Sequence, residues 1–129
     1  MEILIDIHGL IRWLVAVVAL VAIVKFAMGW LQKMAYEKMD RGLMSGYTGL
    51  LDLNFLLGLI ILLFGGGFNG ARIEHATTMF IAIAIAHASA AWRKSEDAQK
   101  KFRNNLIVVV VSLLFIIMGV IRLRGGWLF

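Results

Sequence analysis

Few side chains in this protein could bind a metal or move protons: its 129 residues include three histidines and no cysteine. Without cysteine there is no disulfide, no thiolate metal site, no iron–sulfur cluster and no covalently attached c-type haem. Imidazoles, by contrast, ligate haem iron and titrate near neutral pH. The candidates for redox or proton chemistry are therefore the imidazoles of His8, His75 and His87, with Asp52 and Asn54 as polar neighbours.

His8 and His75 form the first predicted site. Each lies near the start of an apolar segment, and segments that run in the same direction bring both to a similar depth. Two facing imidazoles can supply both axial ligands of a b-type haem, with Met79 and small residues below His75 leaving room for it. Basic side chains on the same side would pair with the haem propionates, namely Arg12, Arg72, Arg122 and Arg124. The alternative is that both histidines are hydrated at the interface, beside Asp6 or Glu74.

His87 forms a second predicted site with Asp52 and Asn54. It lies 12 residues after His75, about 18 Å along a helix, so these two cannot ligate one iron. We predict that His87 hydrogen-bonds Asp52 or Asn54 and relays protons or holds a quinone head group. A polar clamp between two helices is an equally good interpretation. If Asp52 does not hydrogen-bond His87, we expect it to be neutral, hydrated or paired with Lys25.

The composition determines the elements that position these residues. The chain is 61% hydrophobic with a mean hydropathy of +0.87, too apolar for the interior of a soluble domain of this length. Four apolar runs predict an all-α integral membrane bundle in one domain, 1–129, with spans at about 10–31, 49–68, 75–92 and 106–121. Trp13 and Trp30 mark the two ends of the first span, and Trp127 and Phe129 lie at an interface. The acidic start of the chain does not resemble a secretory signal.

The basic residues predict the orientation. Eight lie in the first and third connections: Lys33, Lys38, Arg41, Arg93, Lys94, Lys100, Lys101 and Arg103. Four lie on the opposite side. The positive-inside rule therefore predicts cytoplasmic first and third connections, both termini on the non-cytoplasmic side, and an up-down-up-down order. Because the positive residues cluster between apolar runs, they indicate membrane topology, and we expect no nucleic-acid partner.

The order of features resembles a family of small bacterial four-helix membrane proteins called cytochrome b-like. The similar segments cover nearly the whole chain: 8–13 (HGLIRW), 49–54 (GLLDLN) with Leu57-Gly58, Glu74-His75, His87 and Gly125-Gly126-Trp127. The resemblance implies a role linked to b-type haem or quinone, with the three histidines as candidates. Some relatives carry His-x-Gln where this chain has Asp52-Leu53-Asn54, which argues against a second metal centre.

These observations predict a multi-pass protein of the bacterial cytoplasmic (inner) membrane that transfers electrons. One haem b would lie between His8 and His75 near the outer face, with Arg12, Arg72 and Met79 around it. Quinone is a possible second cofactor, and the protein would be a redox subunit without catalytic activity of its own. The alternative is a cofactor-free accessory subunit of a larger respiratory or photosynthetic membrane complex. Its expected partners are the lipid bilayer and either such a complex or further copies of itself. A third option, a proton-linked transporter, would use His87, Asp52 and Lys25.

Overall fold

The computed structural model describes residues 2–66 and 68–125, and four α-helices make up most of these two ranges. The helices are α1 (Glu2–Leu31), α2 (Lys38–Phe64), α3 (Gly70–His87) and α4 (Ala98–Arg124), and a 3₁₀ turn, Ala88–Ala91, continues α3. No strand occurs in the described ranges, so the predicted all-α class is confirmed. Gly126, Trp127 and Phe129, which were predicted to lie at or near an interface or to carry the family resemblance, lie outside the described residues.

Three helices, α1, α2 and α4, are long and apolar enough to cross a membrane. Their outer faces are apolar as well: α1 exposes large side chains along most of its length, including Leu10, Leu14, Val17, Leu20, Val21 and Val24. A helix that is hydrophobic on all sides is typical of a lipid environment. The chain is therefore a membrane protein, as the composition predicted.

The helices begin earlier than the predicted spans, and the predicted polar loops 32–48 and 93–105 are too long. Asp40 Oδ2 accepts from the backbone N–H of Glu37 at 2.9 Å where α2 begins. Asp97 Oδ1 accepts from Lys100 N at 3.1 Å where α4 begins, and Asn69 Oδ1 accepts from Arg72 N at 2.9 Å where α3 begins. Such caps stabilise polar helical turns that hydropathy alone does not detect.

The four helices pack as a ring. α1 packs against α2 and α4, and α3 packs against the same two helices. At the end of the ring near the α1–α2 connection, the core is tight: Phe26 and Phe102 are fully buried, and a Cβ at Gly29 would clash with the Phe102 ring. At the opposite end, near the connection between α2 and α3, the four helices leave a cavity between them.

Two polar contacts cross this tight part of the core. Lys25 Nζ lies 2.8 Å from Asp40 Oδ1, and the Asp40 side chain is only 1% exposed. Lys25 therefore pairs with Asp40, and not with Asp52 as one sequence interpretation had it. Tyr47 Oη and Ser112 Oγ lie 2.6 Å apart and join α2 to α4.

Candidate cofactor site

A cavity with a volume of about 390 Å³ opens between all four helices. Cofactor and ligand sites typically measure about 300–1,000 Å³ and combine apolar walls with a few polar groups. All five predicted cofactor residues line it: His8, Arg12, Arg72, His75 and Met79. The structure therefore brings together side chains from α1 and α3 that are more than 60 residues apart in sequence.

His75 lies in the second turn of α3 with one ring nitrogen held. Its Nδ1 is 3.2 Å from the backbone carbonyl oxygen of Gly119 in α4. Because a carbonyl only accepts, Nδ1 carries a proton, and in the neutral ring Nε2 then keeps its lone pair. Metal-ligating histidines usually have this arrangement, with the second nitrogen donating to a carbonyl or carboxylate.

His8 lies across the cavity against α2. A Cβ at Gly58 would lie only 3.1 Å from His8 Cε1, so the absence of a side chain there lets the ring approach the α2 backbone. Asn54, one helical turn before Gly58, lies beside the same ring. His8 Nδ1 and Asn54 Oδ1 are buried without a hydrogen-bond partner among the described residues. A buried unsatisfied polar atom costs about 1–3 kcal/mol, so this wall of the cavity is not optimised for packing.

The rim of the cavity is positive. Arg12, Arg72 and Arg124 line it, and no Asp or Glu of the described residues does. Arg72 is anchored by donating from Nη2 to the carbonyl of Ile61 at 2.8 Å. Arg124 is close enough to His75 and Arg12 to interact electrostatically with both. A site of this kind favours a ligand with negative groups at one edge.

Arg122 and Glu74, predicted to pair with haem propionates and with a histidine or Arg12, do not line the cavity. Arg122 Nη2 pairs with Glu74 Oε1 at 2.7 Å, and both side chains are largely exposed. Arg122 is therefore not among the arginines that line the cavity, and Glu74 pairs with Arg122 and not with a histidine or Arg12. The predicted space below His75 is present, since Met79 and Ala82 line it. Ala86 is buried but does not line the cavity.

Of the second predicted site, the structure brings His87 and Asp52 together but not Asn54. His87 Nε2 lies 2.8 and 3.0 Å from the two carboxylate oxygens of Asp52, and the two side chains are 51% and 50% exposed. Asn54, which the sequence analysis placed with them, lines the cavity instead. Two residues along a helix correspond to a rotation of about 200°, so Asp52 and Asn54 face opposite sides of α2.

The two imidazoles that line the cavity suit one class of cofactor. In the described ranges, no cluster of three or more His, Asp or Glu side chains could hold a metal ion. Two imidazoles alone are a poor cage for a free ion, but they complete the coordination of an iron that a macrocycle already holds. The positive rim and apolar walls match a flat apolar ring with carboxylates at one edge.

Sequence reasoning missed Asn54, Gly58 and Gly119 as parts of this site. The four-residue spacing of Asn54 and Gly58 places both on one helix face and could have indicated a shared role. The acceptor from Gly119 is a backbone group, for which the sequence carries no signal. No family model, curated protein or solved structure matches the chain.

Proposed function

We propose that this protein transfers electrons in a membrane and holds one b-type haem between His8 and His75. The observation that carries the proposal is that two imidazoles from different helices line one cavity, and that the Gly119 carbonyl holds the proton of the neutral His75 ring on Nδ1. His8 and His75 also lie within electrostatic reach of each other. The name cytochrome b-like, suggested by the sequence resemblance, agrees with this proposal.

The residues of the cavity have distinct tasks in this proposal. A bound haem supplies an iron that gains and loses one electron. His75 is held for ligation through Gly119, and a small rotation would let His8 Nδ1 donate to Asn54 Oδ1 in the same way. Arg12, Arg72 and Arg124 neutralise propionates, and the apolar walls exclude water, which sets the dielectric around the site.

We further propose that all four helices span the membrane in up-down-up-down order. α3 has 18 residues, about 27 Å at 1.5 Å per residue, and its four-residue 3₁₀ extension adds about 8 Å, which together exceed a hydrocarbon core of about 30 Å. The positive-inside rule supports a cytoplasmic location for the connections 32–37 and 92–97 and an outer location for both termini and the cavity. The membrane would be the bacterial cytoplasmic membrane.

The His87–Asp52 pair supports a link to quinone. His87 Nε2 lies within hydrogen-bond distance of both carboxylate oxygens of Asp52, and the half-exposed position of the pair is open to a ligand in the bilayer. A quinol or a partner complex would then deliver electrons from outside the ring.

An absorption spectrum tests the haem proposal. The full chain is expressed with haem supplied, purified in a mild detergent and reduced with dithionite. We expect a b-type α-band that is lost or greatly reduced in His8→Ala and in His75→Ala. His87→Ala is the matched control and should keep the band, because His87 lies outside the cavity.

Absence of the band in the unmodified protein would overturn the proposal, as would a band that survives both cavity variants. Normal folding without any band, together with co-purification of other subunits, would favour the cofactor-free accessory subunit.

A further inference from the structure

A second, smaller pocket lies at the opposite end of the bundle from the cavity. It has a volume of about 50 Å³ and opens between the start of α2, the turn after α3 and the start of α4. A buried water needs about 10–15 Å³ on this measure, so the pocket holds a group the size of three or four waters and no organic cofactor.

Three cationic side chains, Arg41, Arg93 and Lys101, line this pocket together with the hydroxyl-bearing Ser45 and Ser89. Within the part of the chain that the structure describes, no Asp or Glu lines it. The carboxylate nearest in sequence to Arg41 is Asp40, which is engaged by Lys25. None of the three cations forms an ion pair with a carboxylate among the described residues. The pocket therefore has three positive charges and, among the described residues, no negative group to balance them.

The floor of the pocket is a fixed polar network. Trp92 Nε1 donates to Asn105 Oδ1 at 2.7 Å, and Asn105 Nδ2 donates to Tyr36 Oη at 2.8 Å. Lys101 Nζ lies 4.4 Å from the centre of the Tyr36 ring, a cation–π contact that holds the ammonium over the pocket. Burial raises the pKa of the Tyr36 hydroxyl, so the phenol stays neutral and does not offset the positive charge.

We propose that this pocket binds one phosphate group, supplied either by the head group of an anionic phospholipid or by free phosphate. Two guanidinium groups and an ammonium around a space of this size match the oxygens of a phosphate. Basic pockets between membrane helices on the cytoplasmic side bind anionic head groups. The proposal does not depend on haem binding, since none of its residues lines the cavity.

Thermal unfolding of the full chain in a neutral detergent tests the proposal. The protein has four tryptophans, and one of them, Trp92, lines the pocket, so intrinsic fluorescence reports both unfolding and binding. The probes are phosphatidylglycerol, zwitterionic phosphatidylcholine and inorganic phosphate. The test variant is Arg41→Gln/Arg93→Gln. The control, Lys94→Gln/Arg103→Gln, removes two positive charges from exposed side chains outside the pocket.

We expect phosphatidylglycerol to raise the unfolding temperature of the unmodified protein and of the control. Its apparent affinity should fall by about a hundredfold in the test variant, because the variant loses two charge-assisted hydrogen bonds and each contributes about a factor of ten. The same pattern with inorganic phosphate would support the proposal and identify the phosphate group as sufficient. A response to phosphatidylglycerol alone would support it and identify a lipid.

Three results would overturn the proposal. One is an equal loss of affinity in the test and control variants, which would indicate general attraction to a basic surface. The second is equal stabilisation by phosphatidylcholine and phosphatidylglycerol. The third is no stabilisation by any of the three probes.

Discussion

The two imidazoles of the cavity differ in how their second nitrogen is held. His75 Nδ1 donates to the carbonyl of Gly119, so the ring has one orientation and one tautomer. His8 Nδ1 has no partner among the described residues, although Asn54 Oδ1, also without a partner, is buried beside the ring. In the proposed haem site, His75 is therefore the preorganised ligand, and His8 the one that adjusts when the cofactor binds.

Asn54→Leu tests this difference. The substitution removes a buried amide oxygen without a partner, so we expect the free energy of unfolding of the cofactor-free protein to rise by about 1 kcal/mol. We also expect weaker haem retention, because His8 loses its nearest acceptor. Thermal unfolding and haem titration measure the two effects.

Asn104→Leu, outside the cavity, is the control and should change neither quantity. A cofactor-free Asn54→Leu protein that unfolds more easily than the unmodified one would contradict the expectation, since it would show that the amide is already satisfied.

The three histidines could be identified from sequence because so few residue types can ligate iron. The distance between His75 and His87 followed from helical rise alone. Asn54 was misplaced because it was grouped with its neighbour Asp52, whereas its helix turns it inward towards His8. The Gly119 acceptor lies 44 residues from His75, and only the packing of α3 on α4 brings it there.

At the level of the helices, one ion pair connects α1 to the beginning of α2. Asp40 accepts from Glu37 N and also from Lys25 Nζ, whose side chain is 18% exposed. The same carboxylate thus stabilises the first turn of α2 and attaches that turn to α1. A buried pair of this type is costly to break on one side only.

Lys25→Met should therefore lower the free energy of unfolding by about 3 kcal/mol, because it leaves the Asp40 carboxylate buried without its cation. The double variant Lys25→Met/Asp40→Asn should lose less than the sum of the two single changes. A double-mutant cycle in detergent measures this coupling. Strict additivity of the two changes would show that the pair contributes nothing.

The positions of the helices were predictable, and their ends were not. Hydropathy detects the part of a helix that lies in lipid, and three of the four apolar runs correspond to helices able to cross a membrane. The extra turns at 38–48 and 98–105 are polar, and they are helical because Asp40 and Asp97 cap them. Capping depends on a few hydrogen bonds and leaves little trace in an averaged composition.

For the whole molecule, the ring of helices separates two different sites. The cavity with the histidines lies at the end where α2 finishes and α3 begins, and the basic pocket lies at the end where α2 and α4 begin. The excess of Lys and Arg belongs to the second end. The proposed orientation therefore places the histidine cavity at the outer face and the basic pocket at the cytoplasmic face.

Single cysteines test this orientation, since the chain has none of its own. Phe68→Cys, between α2 and α3, should react with an impermeant maleimide in intact cells. Lys94→Cys, before α4, should react only after permeabilisation. Both positions are exposed, so the difference reports the side of the membrane. The reverse pattern of labelling would invert the proposed topology.

The hydrogen bond between Tyr47 and Ser112 joins α2 to α4; along α4, Ser112 lies between the basic pocket and the cavity. Ser112 Oγ donates to the carbonyl of Val109 at 3.2 Å, so the phenol of Tyr47 donates to Ser112 in turn. Both side chains are fully buried, and neither lines the cavity or the pocket. Both hydroxyl protons are used within this contact, which fixes the two side chains to each other. A haem bound as proposed would thus lie to one side of a packed layer that holds α2 against α4 while the cavity is filled.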